Sequence, residues 1–170
     1  AAWAVDDHTI SAAYQAVKLG IVEATLVGDA DMIAKVCEEE KLDASVFQIV
    51  DVKEELKAIS TAVDMINNKE GDILMKGLCS TDKYMRAILK KEGGLLPPKA
   101  VLSHVAVLES PFYHKLMIIS DMAVIPAPDL KQKEAITKYV VNTAKALQIE
   151  KPKVAFIAAT ERRLPGMQAC

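Results

Sequence analysis

Residues Asp72–Leu89 read DILMKGLCSTDKYMRAIL, and the rest of the chain is organised around them. Ile73, Leu74 and Met75 form a short apolar run after Gly71, which predicts a buried strand. Lys76 and Gly77 end it. Ser80, Thr81 and Asp82 supply helix-start chemistry, and Tyr84, Met85, Ile88 and Leu89 recur at helical spacing. The expected unit is strand, tight turn and helix N-terminus.

That unit suits an anion. The free N–H groups of a helix's first turn and its dipole both attract negative charge. Gly77 lets the backbone approach a ligand closely. The Ser80 and Thr81 hydroxyls can donate, Lys76 adds a point charge and Arg86 a bidentate fork. A plainer reading stands beside this one. Ser80 or Thr81 can serve only as an N-cap, and Arg86 can simply pair with Asp82 at i, i+4.

Upstream and downstream, apolar runs alternate with amphipathic stretches. Strands are expected over 2–5, 24–27 and 47–50. Helices are expected from Asp6-Asp7 to Gly20, after Gly28-Asp29, and over 53–68, where Val52, Leu56, Ile59, Val63 and Ile66 form a stripe. Gly93-Gly94 and Pro97-Pro98 make a loop. Further strands are expected over 101–108, 116–119 and 153–159, with Pro111 breaking the chain between the first two. A long helix over 130–147 follows Pro126 and Pro128. Strands alternating with helices predict a mostly parallel sheet with helices on both faces, with ligands at the carboxyl ends of strands. No clear interdomain linker is read. No GxGxxG and no GxxxxGK[ST] is present, so neither dinucleotide nor nucleoside-triphosphate binding has support.

Composition narrows the class. The chain has 170 residues, 51% of them hydrophobic, and a net charge of −2. It is long enough for a substantial core, and nothing basic points to nucleic acid. No apolar run approaches the roughly 20 residues of a membrane span, and no secretory pattern is read at the start. Cys37, Cys79 and Cys170 form no CxxC pair, and His8, His104 and His114 have no ligand spacing, so neither a disulfide framework nor a metal site is expected. A reducing cytoplasm is the expected setting. Cys79 lies in the anion loop but has no adjacent base, so a buried thiol is the simpler reading.

Ser103, His104 and Asp121 invite a triad, yet no GxSxG elbow surrounds Ser103, and neighbours on a strand face opposite ways. One of Ser103 and His104 is expected to line a pocket while the other packs. Asp121 caps a turn or orients a ligand. Glu161-Arg162-Arg163 offers cations to phosphate groups or is a solvated loop.

The stretch LMKGLCSTDKYMRAIL resembles the phosphate acetyl/butyryl transferase family, its butyryl branch most closely. Ala24–Ile33, Gly94–Lys133 and Lys151–Cys170 agree in the expected order. The resemblance implies acyl-CoA + phosphate ⇌ acyl phosphate + CoA, with butyryl or a similar short acyl group. It implies an isocitrate/isopropylmalate dehydrogenase-like fold of two α/β domains, as a homodimer or larger assembly. CoA would be a substrate, with no permanently bound cofactor. The resemblance sets Lys76, Gly77, Ser80, Thr81 and Arg86 on the cleft-side loop and helix. Arg86 matches an arginine that contacts CoA or phosphate, and Ser103-His104 match the SHV segment of the butyryl branch. Asp121 joins these as a substrate-binding candidate. The family's catalytic Ser-Arg and Asp have no counterpart here. Residues 1–170 are therefore read as the first, incomplete domain of a longer enzyme, inactive alone. The alternative is a non-catalytic module that binds CoA or phosphate.

Overall fold

A computed structural model describes residues 1–162 and 164–167. Two compact units divide at Pro98/Lys99, in the loop marked by Gly93-Gly94 and Pro97-Pro98.

The first unit is α/β. Helix α1 (Asp7–Lys18) starts at the Asp6 carboxylate, which accepts from the Thr9 N–H at 3.0 Å. Strand β1 (Ala24–Gly28) runs into α2 (Ala30–Glu39), which is capped by Asp29. Strand β2 (Phe47–Asp51) leads into α3 (Glu55–Asn67), and α4 (Thr81–Ile88) follows the central loop. Strands β1 and β2 pair in parallel, Ala24 opposite Phe47 and Gly28 opposite Asp51.

Two extended stretches continue that sheet without becoming full strands. Ala2 bridges both Val27 and Lys76 in parallel. The Ala2 N–H donates to the Met75 carbonyl, and the Gly77 N–H donates to the Ala2 carbonyl, each at 2.9 Å. The strand expected over 2–5 is thus reduced to the two bridges of Ala2, and the one expected over 73–75 to a single bridge at the adjoining Lys76. Ile73 is largely exposed, so the run before Lys76 is not the buried strand its composition predicts. Alternation explains the layering. Leu26 packs with Ile10, Ile33 and Phe47 beneath α1 and α2, whereas Val27 packs with Ala58, Ile59 and Ala62 of α3 on the other face. Helices therefore cover both faces of this short sheet. The α3 stripe differs from expectation: Ala58, Ile59, Ala62 and Val63 are buried and Leu56 is exposed, because small alanines let the helix approach the sheet closely.

In the second unit, β3 (Ala106–Ser110) and β4 (Tyr113–Ile119) form an antiparallel hairpin, with Pro111 in the turn and a bulge between Leu108 and Ser110. The strand expected over 101–108 begins only at Ala106. The hairpin also breaks the expectation of a mostly parallel sheet, since a two-residue turn can join only antiparallel strands. Helix α5 (Leu130–Ala146) opens with a capping box. The Asp129 carboxylate accepts from the Gln132 N–H, and the Gln132 side chain accepts from the Asp129 N–H, both at 2.8 Å. The stretch 153–159, expected to be the last strand, has no strand structure. Phe156 and Ile157 are exposed, and no described residue pairs with that stretch, without which an apolar run has no ladder.

Candidate functional site

The central loop is held from behind. The Gly77 N–H and Leu78 N–H donate to the carbonyls of Ala2 and Trp3, each at 2.9 Å. A Cβ on Gly77 would meet the Trp3 carbonyl oxygen at 2.3 Å, so glycine is needed here for contact between two stretches of the chain's own backbone. The Lys76 ammonium donates to the Gly77 carbonyl at 3.3 Å. Cys79 is buried, and burial pushes its thiol up, with the Lys76 and Lys83 charges opposing and Glu55 adding to the rise.

Ser80 is the N-cap of α4. Its hydroxyl accepts from the Lys83 N–H at 3.3 Å. Thr81 opens the helix, exposed. Arg86 points from the exposed side, with its guanidinium 3.1 Å from the Asp82 carboxylate. An exposed i, i+4 pair of this kind costs little to open, so the Arg86 fork is available to a ligand. One partner was not legible in the sequence. Glu55, at the start of α3, pairs with Lys83 and also accepts from the Ser80 N–H; the Lys83 ammonium holds its carboxyl below the ordinary value. Residues 28 apart in sequence carry no spacing signal for such a contact.

A second charged group lies where β1 and β2 end. The Lys53 ammonium is 2.9 Å from Asp29, 2.7 Å from Asp31 and 3.3 Å from Asp51. Hydrogen bonds to Asp31 and Asp29 hold Lys53 protonated well above its ordinary range. Among the described residues, no group of three or more His, Cys, Asp or Glu side chains is placed to hold a metal.

In the second unit, Ser103, His104, Ser120 and Asp121 form one network. The His104 N–H donates to Asp121 Oδ2 at 3.1 Å, and Ser120 Oγ donates to the His104 carbonyl. Ser103 Oγ lies 3.1 Å from Ser120 Oγ. Asp121 Oδ1 accepts from the Ala123 and Val124 N–H groups, both at 2.8 Å. Burial opposes ionisation of Asp121, but the N–H donors of Val124, Ala123 and His104, with the Ser103 hydroxyl, outweigh it and hold the carboxyl well below its ordinary range. The carboxylate grips the His104 main chain and not its ring, so the three residues do not form a nucleophilic triad. The structure thus gathers Lys76, Gly77, Ser80, Thr81 and Arg86 on one loop and helix, and Ser103, His104 and Asp121 in one network of the other unit. Arg162 N–H donates to Thr160 Oγ1 at 3.1 Å. Arg163 and Cys170 lie outside the described residues.

The sequence pattern described as phosphate acetyl/butaryl transferase matches residues 54–169, which takes in both groups of candidate residues. The chain belongs to that family. Among curated members, phosphate butyryltransferase of Clostridium acetobutylicum is 39% identical over 164 residues, covering 96% of this chain and 54% of that protein. Phosphate butyryltransferase of Clostridium beijerinckii is 34% identical over 98% of this chain and 55% of that one. Phosphate acetyltransferase of Thermotoga maritima is 34% identical over 95% and 54%. The chain spans about half the length of these acyltransferase-family relatives. A crystal structure of a branched-chain phosphotransacylase from Enterococcus faecalis V583 superposes with a TM-score of 0.67 at 24% identity, covering 86% of this chain and 60% of that one, so the fold is shared.

Proposed function

We propose that this chain belongs to an enzyme that moves a short acyl group, butyryl or similar, between CoA and phosphate: acyl-CoA + phosphate ⇌ acyl phosphate + CoA. The observation that carries the reading is the family match over 54–169, with relatives named phosphate butyryltransferase and phosphate acetyltransferase along nearly the whole chain. The Arg86 fork, the Ser80-Thr81 helix start and Lys76 give phosphate charge a positive, donor-rich landing, with Gly77 shaping the loop. Ser103, His104 and Asp121 belong to the same substrate-binding set.

Phosphate attacks the thioester carbonyl carbon. The carbonyl becomes a tetrahedral oxyanion, which collapses to acyl phosphate and expels the CoA thiolate; the reverse uses the thiolate as nucleophile. No redox cofactor enters this balance, and CoA is a substrate. Residues 1–170 act as the N-terminal domain of a two-domain, isocitrate/isopropylmalate dehydrogenase-like enzyme. The remaining domain supplies the general base and oxyanion donors. A half-length match to the relatives supports that division. The enzyme works in the cytoplasm as a homodimer or larger homo-oligomer; no helix among the described residues is long and apolar enough to cross a membrane.

The same half-length match gives a second reading its one support: a module that binds CoA or phosphate without catalysis. Release of CoA from butyryl-CoA by the purified gene product, with and without phosphate, separates them. Phosphate-dependent release supports the acyltransferase. Binding of CoA without release supports the module.

A further inference from the structure

The stretch Ala1–Ala4 is bonded to its two neighbours in an order that a regular strand does not give. On the β1 side, the Val27 N–H donates to the Ala1 carbonyl at 2.9 Å, and the Ala4 N–H donates to the Val27 carbonyl at 3.2 Å. On the other side, the Gly77 N–H donates to the Ala2 carbonyl and the Leu78 N–H to the Trp3 carbonyl, each at 2.9 Å. Successive carbonyls of an extended strand point to opposite neighbours, yet those of Ala2 and Trp3 both face the central loop. Trp3 makes this possible. Its φ is 55°, in the left-handed region. A bulky residue in that region is an outlier, held only where the surroundings fix it, and such residues gather at functional sites. The surroundings that fix Trp3 are its packing against the cores on both faces of the sheet and the close approach of its carbonyl to Gly77.

We infer that Trp3 is a positioning residue for phosphate: its left-handed backbone turns the carbonyl that holds Leu78, and so aims the first turn of α4. Leu78 stands two residues before Ser80, the N-cap of that helix. The Cys79 N–H donates to the Gly77 carbonyl at 2.8 Å, so the chain between is a tight turn with little slack. A shift at Leu78 therefore moves Ser80 and Thr81. The inference rests on the proposed acyl transfer, in which this helix start receives phosphate. Donors that bind an anion work best when held in place before it arrives. Trp3 acts through the loop and touches no substrate.

The test uses two side chains of similar size and opposite backbone preference. Asn enters the left-handed region readily, whereas β-branched Val does not. Packing alone ranks them the other way, since Val suits a half-buried apolar place better than Asn. In phosphate-dependent CoA release by the gene product, Trp3→Val is expected to raise the KM for phosphate about tenfold, the size of one displaced hydrogen bond. Trp3→Asn is expected to recover a KM within about threefold of wild type. Loss of folded enzyme would instead lower kcat and leave KM unchanged. Equal KM values in the two variants, or a higher one in Trp3→Asn, overturn the inference while leaving acyl transfer intact. No phosphate-dependent release by wild type overturns the proposed function and this inference with it.

A measurement on the wild-type gene product removes dependence on variant folding. Trp3 and phosphate are inferred to favour the same arrangement of the loop, so each must strengthen the other. Amide hydrogen exchange is followed at Leu78, which is bonded to Trp3, and at Ala4, which is bonded to Val27 outside the loop. Saturating inorganic phosphate is expected to slow exchange at Leu78 at least about threefold more than at Ala4. Equal slowing at both, or none at Leu78, overturns the inference.

Discussion

The α-carbon of Gly77 faces the carbonyl oxygen of Trp3, so closely that a Cβ there would stand 2.3 Å from it and 2.7 Å from the Ala2 carbonyl. Backbone cannot swing aside as a side chain can. Gly77→Ala must separate the 75–77 stretch from 1–3 and weaken the bridge between them. A loss of at least about 2 kcal/mol in urea unfolding is expected, the upper part of the range for overpacking. A midpoint equal to wild type would remove Gly77 from the structural account.

Glu55 and Lys83 join α3 to the first turn of α4. The Lys83 ammonium lowers the Glu55 carboxyl, so the stabilising contribution of Glu55 is fully present above the unfolded glutamate value, about 4.3. It is lost as pH falls through the lower folded value. The melting temperature of Glu55→Gln should therefore lie below wild type at pH 7 and converge with it toward pH 3. A gap that persists at pH 3 contradicts the assignment. High salt should also narrow the gap at pH 7, since the pair is partly exposed.

Asp121 gathers three N–H donors, and its carboxyl is held below the ordinary value, so it stabilises above about pH 4 and ceases to do so in stronger acid. Asp121→Ala leaves those donors without their acceptor. A loss of about 2 kcal/mol is expected near neutral pH, less than the sum of three charged hydrogen bonds because water reaches part of the site. Amide exchange at Ala123 and Val124 should accelerate together. Unchanged exchange at both would show that the carboxylate does not hold this turn.

How far the sequence reaches is clear from these residues. Helix starts were legible because their chemistry is local: Asp6, Asp29 and Ser80 each sit where a hydroxyl or carboxylate precedes an amphipathic run, and each caps a helix. Strands β1 and β2 were legible as compact apolar runs. The stretches 73–75 and 153–159 have the same composition, but strand structure depends on a partner elsewhere, which composition does not record. Likewise local patterns and family likeness singled out Ser80, Arg86, Ser103, His104 and Asp121 as candidates. Glu55, Lys83, Lys53 and Ser120 join the charged and polar networks through contacts 16 to 28 residues apart, beyond any motif.

Cys79 lies in the central loop with a thiol raised by burial, so little thiolate exists at neutral pH. Cys79→Ala should keep phosphate-dependent CoA release within about threefold, the range expected when no bond to a reacting atom is lost. Native protein should label at Cys79 far more slowly with iodoacetamide than urea-unfolded protein. A variant without activity but with a native melting curve would instead make Cys79 a participant in the chemistry.

The central claim is that the loop and helix around Ser80 and Arg86 receive the phosphate of an acyl-transfer reaction. The most direct measurement is CoA release from butyryl-CoA and from acetyl-CoA, with and without phosphate, by wild type and Arg86→Ala. Because the Arg86–Asp82 pair is exposed, the variant should melt within a degree or two of wild type. Wild type should release CoA only with phosphate, and the variant should lose roughly 10- to 100-fold in kcat/KM, the value of a charge-assisted contact. Full activity in Arg86→Ala, or release that ignores phosphate, would contradict the account.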